Sequence, residues 1–303
     1  MKKISRKKFI KQISILPIAF SGIYNMMLAA ESSINIINDK KPLVDGKDGI
    51  LKIIKGFDYK VISKQNQIMS DGLPVPNHAD GMMSFKGENG RIILIRNHEI
   101  GNFYKLEKLL KLNPIYNYPD FINQNKEYFF DLGKEGKYPC CGGTTTIVYN
   151  PNTQLVEKEF TSLAGTLVNC SGGPTPWNTW ITCEEIVRNK GDDGLQRNHG
   201  YNFEVLPTEN ISLNKAIPLK AMGRFRHEAI AIDPITNIAY QTEDRDDGLI
   251  YRFIPKKSSR YGLKGKLQAL KISEKDTRNW KFNSIIKNQS YPVEWINLDN
   301  PDR

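Results

Sequence analysis

The sequence predicts an all-β protein, on three observations. Short runs rich in β-branched and aromatic residues recur along the chain, each closed by a polar turn. Asp-Pro and Asn-Pro steps stand between successive runs, where paired strands need turn chemistry. Helical periodicity is scarce, and the runs are not separated by the long crossover helices that parallel sheets require. Many short antiparallel strands fit a β-propeller, with roughly 40 to 45 residues per blade. A β-sandwich with long loops is the competing architecture.

Taken in order, Met82-Met83-Ser84-Phe85 and Arg91-Ile92-Ile93-Leu94-Ile95-Arg96 flank Gly87-Glu88-Asn89-Gly90, a hairpin signal. Phe103-Tyr104-Lys105-Leu106-Glu107-Lys108-Leu109-Leu110-Lys111-Leu112 has an apolar face and alternating charge and runs into Asn113-Pro114, so it reads as a helix. Gly143-Thr144-Thr145-Thr146-Ile147-Val148-Tyr149 is a strand ended by Asn150-Pro151-Asn152. Thr179-Trp180-Ile181-Thr182 is another, after a Gly/Pro-rich stretch at 171–177 that reads as a loop. Ala229-Ile230-Ala231-Ile232 and Ile238-Ala239-Tyr240-Gln241-Thr242 pair across Asp233-Pro234, and 249–254, 267–272 and 292–298 supply three further strands.

The first thirty residues stand apart from this rhythm. Lys2, Lys3, Arg6, Lys7, Lys8 and Lys11 precede a mostly apolar stretch that ends in Met27-Leu28-Ala29-Ala30, the layout of an export signal. Ser5-Arg6-Lys7-Lys8-Phe9 resembles the twin-arginine type with lysine for the second arginine. Residues 1–30 are therefore expected to be a leader and 31–303 the propeller domain, in a periplasmic or secreted protein. The apolar stretch is interrupted by Pro17, Ser21, Gly22 and Asn25 and makes a poor permanent membrane span.

Lys and Arg outnumber Asp and Glu 43 to 33, a formal charge of +10 that favours anionic partners. The lysines are spread along the chain without a basic helix or aromatic-interleaved patch, so a nucleic-acid partner is not expected. The four cysteines, Cys140, Cys141, Cys170 and Cys183, fit neither a disulfide framework, nor C-x-x-C redox chemistry, nor a zinc ribbon.

Chemistry concentrates at the ends of the β-like runs. His78, His98 and His227 each lie beside an acid or amide there. Glu99 follows His98, Glu184-Glu185 follows Cys183, Glu228 precedes an apolar strand, and Glu243-Asp244 closes another. Adjacent carboxylates repel one another and resist burial, so gathering them needs cations or an unusually wet loop, and oxygen-rich clusters suit hard ions such as Ca²⁺ or Mg²⁺. Cys170 opens onto Ser171-Gly172-Gly173-Pro174, and a thiolate beside carboxylates is held only by a metal or by positive charge. Iron accepts both sulfur and oxygen, so a mixed iron and calcium cluster is chemically reasonable.

These residues resemble a known family. Asn97-His98-Glu99, Gly142-Gly143-Thr144-Thr145-Thr146, 169–180 from Asn169-Cys170-Ser171-Gly172-Gly173 to Asn178-Thr179-Trp180, Thr182-Cys183-Glu184-Glu185, Arg224-Phe225-Arg226-His227-Glu228-Ala229 and Tyr240-Gln241-Thr242-Glu243-Asp244 look like the PhoX-type alkaline phosphatases. The resemblance runs from about Asp71 to the C-terminus. It implies an exported, monomeric, six-bladed propeller that carries ferric and calcium ions and hydrolyses phosphate monoesters. It implies further that Cys170 bridges the irons and Glu228 binds iron, with Glu99, Glu184, Glu185, Glu243 and Asp244 as candidates for the calcium part. Which member of each neighbouring acidic pair faces the metals is left open.

The family's later segment, with an Arg-x-Glu motif, has no counterpart before Arg303. The expectation is a metal-dependent phosphatase or a truncated, inactive relative, the chain being either a shortened relative that has lost the reaction or a fragment whose remainder is encoded separately. A non-catalytic metal-stabilised binding propeller and a calcium-dependent phosphodiesterase or lactonase are the alternatives.

Overall fold

The computed structural model describes residues 42–101, 106–256, 261–273, 285–286 and 288–302, so the expected leader lies outside the described residues. The chain divides into two units, residues 1–61 and 62–303. Within the described part of the first, β1 (Leu43–Asp45) and β2 (Lys52–Ile54) form an antiparallel hairpin.

The second unit consists of three antiparallel meanders in which strand order follows chain order. The first contains β3 (Ala79–Lys86), β4 (Ile92–His98), β5 (Gly142–Asn150) and β6 (Leu155–Thr166). The second contains β7 (Asn169–Pro174), β8 (Trp180–Glu184) and β9 (Asn202–Val205). The third contains β10 (His227–Ile232), β11 (Ala239–Glu243), β12 (Ile250–Pro255), β13 (Gly265–Ile272) and β14 (Val293–Leu298). The protein is thus all-β, with four sheets, and among the described residues no sheet closes on itself. Among the described residues the α-helices are α1 (Leu106–Leu112) and α2 (Pro119–Gln124), so the predicted helix at 103–112 is found over its described part.

The local chemistry accounts for most of these elements. The β3–β4 hairpin turns through Asn89 and Gly90 at φ 50° and 79°, values those residue types tolerate. β5 runs between two neighbours, and its Thr144-Thr145-Thr146 hydroxyls are buried inside the sheet. β7 corrects the first part of the sequence reading of 171–177 as a loop: 171–174 are strand, and 175–177 form the turn that follows. Gly172 and Gly173 are in extended backbone, and a Cβ on them would lie 1.9 Å from the carbonyls of Ile181 and Ile230 respectively. The glycines serve close approach of strands here, not turning.

Two apolar clusters join consecutive meanders. Phe85, Ile93, Ile95, Phe130, Trp180 and Phe203 fill the space between the first and second. Cys170, Ile181, Cys183, Ile230, Phe253 and Leu267 fill that between the second and third. Each such aromatic or branched side chain stabilises the packing by about 1.5–3 kcal/mol. Buried polar bonds fix the register. Asn97 on β4 accepts from Trp180 Nε1 at 2.9 Å and donates to the carbonyls of Cys170 at 3.1 Å and Ser171 at 2.7 Å.

Candidate metal centre

The three meanders share one device at the end where their first hairpin opens. In each, the last regular pair joins a residue of the first strand to one of the second: Ala79 with His98, Asn169 with Glu184, and His227 with Glu243. In each, a register shift follows at once, between Ala79 and Met82, Asn169 and Gly172, and His227 and Ile230. A bulge breaks strand alternation and re-aims the extra residue. The residues so released are Asp80, Cys170 and Glu228, and those just past the pair on the second strand are Glu99, Glu185 and Asp244.

These six come together. The ligand atoms of Cys170, Glu185 and Glu228 lie within 4.8 Å of one another. Asp80 and Glu99 share a side-chain hydrogen bond, as do Glu185 and Asp244, and Glu228 lies in the field of both Asp80 and Asp244. The Cys170 sulfur is buried, 3.4 Å and 3.5 Å from the carbonyl oxygens of His227 and Glu228. Arg226 lies at the rim, with Nη2 2.8 Å from Glu185 Oε1.

Without a cation this arrangement favours the protonated forms of Glu185, Glu228, Glu99 and Cys170. Burial, the hydrogen bond with Asp244 and the field of Glu228 push Glu185 up to about 7. Burial and Asp244 also raise Glu228, and burial and Asp80 raise Glu99. Burial holds the Cys170 thiol far above its ordinary range, with Cys183, Glu228 and Glu185 adding to the effect. A positive ion reverses each of these influences, because it favours the charged form of every donor around it. One soft sulfur among carboxylate oxygens therefore fits a mixed metal site.

The acidic pairs separate by strand geometry. Glu185 and Asp244 join the cluster. Their neighbours Glu184 and Glu243, both at regular pairs, are held elsewhere. Glu184 is fully buried and accepts from the backbone N–H groups of Leu167, Gly200 and Tyr201 and from His199 Nδ1 at 2.7 Å. Glu243 Oε2 accepts from the Tyr251 hydroxyl at 2.9 Å and the Leu249 N–H at 3.2 Å. The histidines beside the cluster hold backbone. His98 bridges the Asn77 carbonyl and the Thr145 hydroxyl, His227 Nε2 meets the Gly223 carbonyl, and His78 Nδ1 meets that of Glu99. Asp80 is the cluster member absent from the sequence-derived ligand set, although its neighbourhood, Asn77-His78-Ala79-Asp80-Gly81, is distinctive.

A second candidate metal-binding cluster was not legible in the sequence. Asp131, Cys140 and His199 are all buried and bring their donor atoms within 4.8 Å of one another. His199 Nε2 lies 3.2 Å from Asp131 Oδ2 and 3.8 Å from Cys140 Sγ. His199 is the one histidine that the sequence pattern did not distinguish, and 59 and 68 residues separate it from these partners.

Among the described residues, no helix is long and apolar enough to cross a membrane. No curated protein and no solved structure matches the chain. Residues 38–303 match the family described as alkaline phosphatase PhoX, which fits the convergence of Cys170, Glu185 and Glu228 and covers most of the sequence: the chain belongs to that family of metal-dependent phosphoesterases.

Proposed function

We infer that the protein is an exported phosphatase that hydrolyses phosphate monoesters at a mixed iron and calcium centre. The observation that carries this reading is the meeting of Cys170, Glu185 and Glu228 at the common open end of three meanders, in a chain of this family. The meanders serve as propeller blades, each presenting its first hairpin to the centre, and the basic-then-apolar pattern of residues 1–30 directs export to the periplasm or beyond.

Cys170 and Glu228 hold iron, while Glu185, Asp244, Glu99 and Asp80 hold the calcium part. Glu184 and Glu243 secure the blades instead, because their hydrogen bonds are made within the fold. Iron and calcium, when bound, supply the positive charge that polarises the phosphoryl group and makes water a nucleophile near neutral pH. Glu185, Glu228, Glu99 and the Cys170 thiol give up their protons as the centre assembles, so loading weakens as pH falls through about 7, where Glu185 takes up a proton. Arg226, 42 % exposed at the rim, offers its remaining guanidinium donors to a phosphate oxygen.

Hydrolysis of p-nitrophenyl phosphate by the full chain, stripped and then reloaded with iron and calcium, tests the proposal. Turnover that requires the metals and is lost in Glu228→Gln supports it. A chain that binds both metals yet hydrolyses no monoester is a binding propeller, and turnover of a diester or lactone with calcium alone indicates a different hydrolase.

A further inference from the structure

The cluster of Asp131, Cys140 and His199 gathers a carboxylate, a thiol and an imidazole in the protein interior. His199 Nε2 faces Asp131 Oδ2 at 3.2 Å and Cys140 Sγ at 3.8 Å, and a ring nitrogen carries at most one hydrogen. The Nε2 hydrogen serves Asp131, the shorter contact, while Cys140 keeps its own thiol proton, so three metal-binding atoms converge on one point. A cation at the same place meets all three.

The scaffold holds these atoms before any ion arrives. The Cys140 N–H donates to the Asp131 carbonyl at 3.1 Å, which closes the loop that carries both residues. Asp131 is pinned further by the N–H groups of Gly133, Gln196 and Arg197. The His199 backbone pairs with Arg188, and its ring packs edge-on against Phe130 with centroids 5.0 Å apart. Nδ1 of the same ring points at Glu184 Oε1, 2.7 Å away. A carboxylate on the far nitrogen is the arrangement that orients a metal-bound histidine and raises its basicity.

We propose that Asp131 Oδ2, Cys140 Sγ and His199 Nε2 bind one divalent ion of borderline softness, of the zinc class, as a structural site separate from the acidic centre. One nitrogen, one sulfur and one carboxylate oxygen are the donors such ions take in tetrahedral geometry, and a small ligand such as water completes the fourth position. Loading releases the thiol proton and the imidazolium Nε2 proton. The incoming double charge replaces the two lost, so the buried charge is unchanged and no further counter-ion is needed. The ion braces the acidic centre from behind: Glu184 orients His199, while Glu185, its neighbour, lies in the Cys170 cluster.

The test uses the full chain carrying Cys170→Ser, which removes the sulfur of the acidic centre, so that failure of the phosphatase reading does not affect the result. Refolding with Co²⁺ in place of zinc is expected to give one tightly held equivalent, with a thiolate-to-cobalt charge-transfer band. Adding Cys140→Ser should abolish the band and weaken retention at least tenfold. Because the site is fully buried, chelator should strip it far more slowly than the half-buried acidic centre. If the double variant does not fold, anomalous scattering from crystals of the zinc-refolded Cys170→Ser chain locates the ion directly. Absence of the band and of a retained equivalent, or an anomalous peak elsewhere, overturns the proposal.

Discussion

Asn97 Nδ2 donates to the Cys170 carbonyl at 3.1 Å, and this bond ties the bulge that presents the sulfur to the neighbouring meander. The same amide donates to Ser171 and accepts from Trp180 Nε1, all within the protein interior. Asn97→Ala leaves these groups without their partner and should lower stability by about 2–4 kcal/mol. Urea unfolding measures the loss, and metal retention should fall with it. A loss under about 1 kcal/mol with unchanged retention contradicts this role.

Glu184 and Glu185 should respond in opposite ways. Glu184→Ala removes one of the two carboxylates beside His199, and breaking a buried pair costs about 3–5 kcal/mol. Glu185→Gln removes a mutually repelling carboxylate, so the metal-free protein should unfold no earlier than the parent while calcium binding weakens at least tenfold. Thermal unfolding in chelator and calcium titration separate the two residues.

Gly173 permits the approach of β7 to β10. A Cβ there would lie 1.9 Å from the Ile230 carbonyl oxygen, which is backbone and cannot swing aside. Gly173→Ala should therefore cost about 1–3 kcal/mol or more by overpacking and displace Glu228, two residues before Ile230. Chemical denaturation together with metal content checks both effects.

Acid should destabilise the fold through two histidines. Burial is the main cause that lowers both His98 and His227 to about 3, and nearby Arg96 also lowers His98. An unfolded histidine titrates near 6.5, so between 6.5 and about 3 the unfolded chain binds more protons than the folded one. Stability is then complete above 6.5 and falls with decreasing pH, by about 1.4 kcal/mol per pH unit for each histidine. Replacing His98 with Asn should flatten part of that slope in denaturation curves measured across the window.

The strands carrying branched residues were legible because their periodicity and turns agree. β6 was missed because Ser162, Ala164, Gly165 and Thr166 look like loop yet are buried in the sheet, and β7 because its glycines signal turns as readily as tight strand packing. The Cys170 and Glu228 neighbourhoods stood out as motifs. Which acid of each pair faces the centre depends on register and bulge position, and these are set by pairing across strands. The grouping of Asp131, Cys140 and His199 is set wholly by tertiary structure, since no local spacing announces it.

Whether Cys170 and Glu228 hold iron is decided by iron analysis of the full chain, refolded with ferric and calcium ions and freed of loosely bound metal. Tightly held iron is expected in the parent and should be lost in both Cys170→Ser and Glu228→Gln, with Glu243→Gln retaining it. Iron that persists in both of the first two variants, or a parent that retains none, would contradict a centre built on that sulfur and that carboxylate.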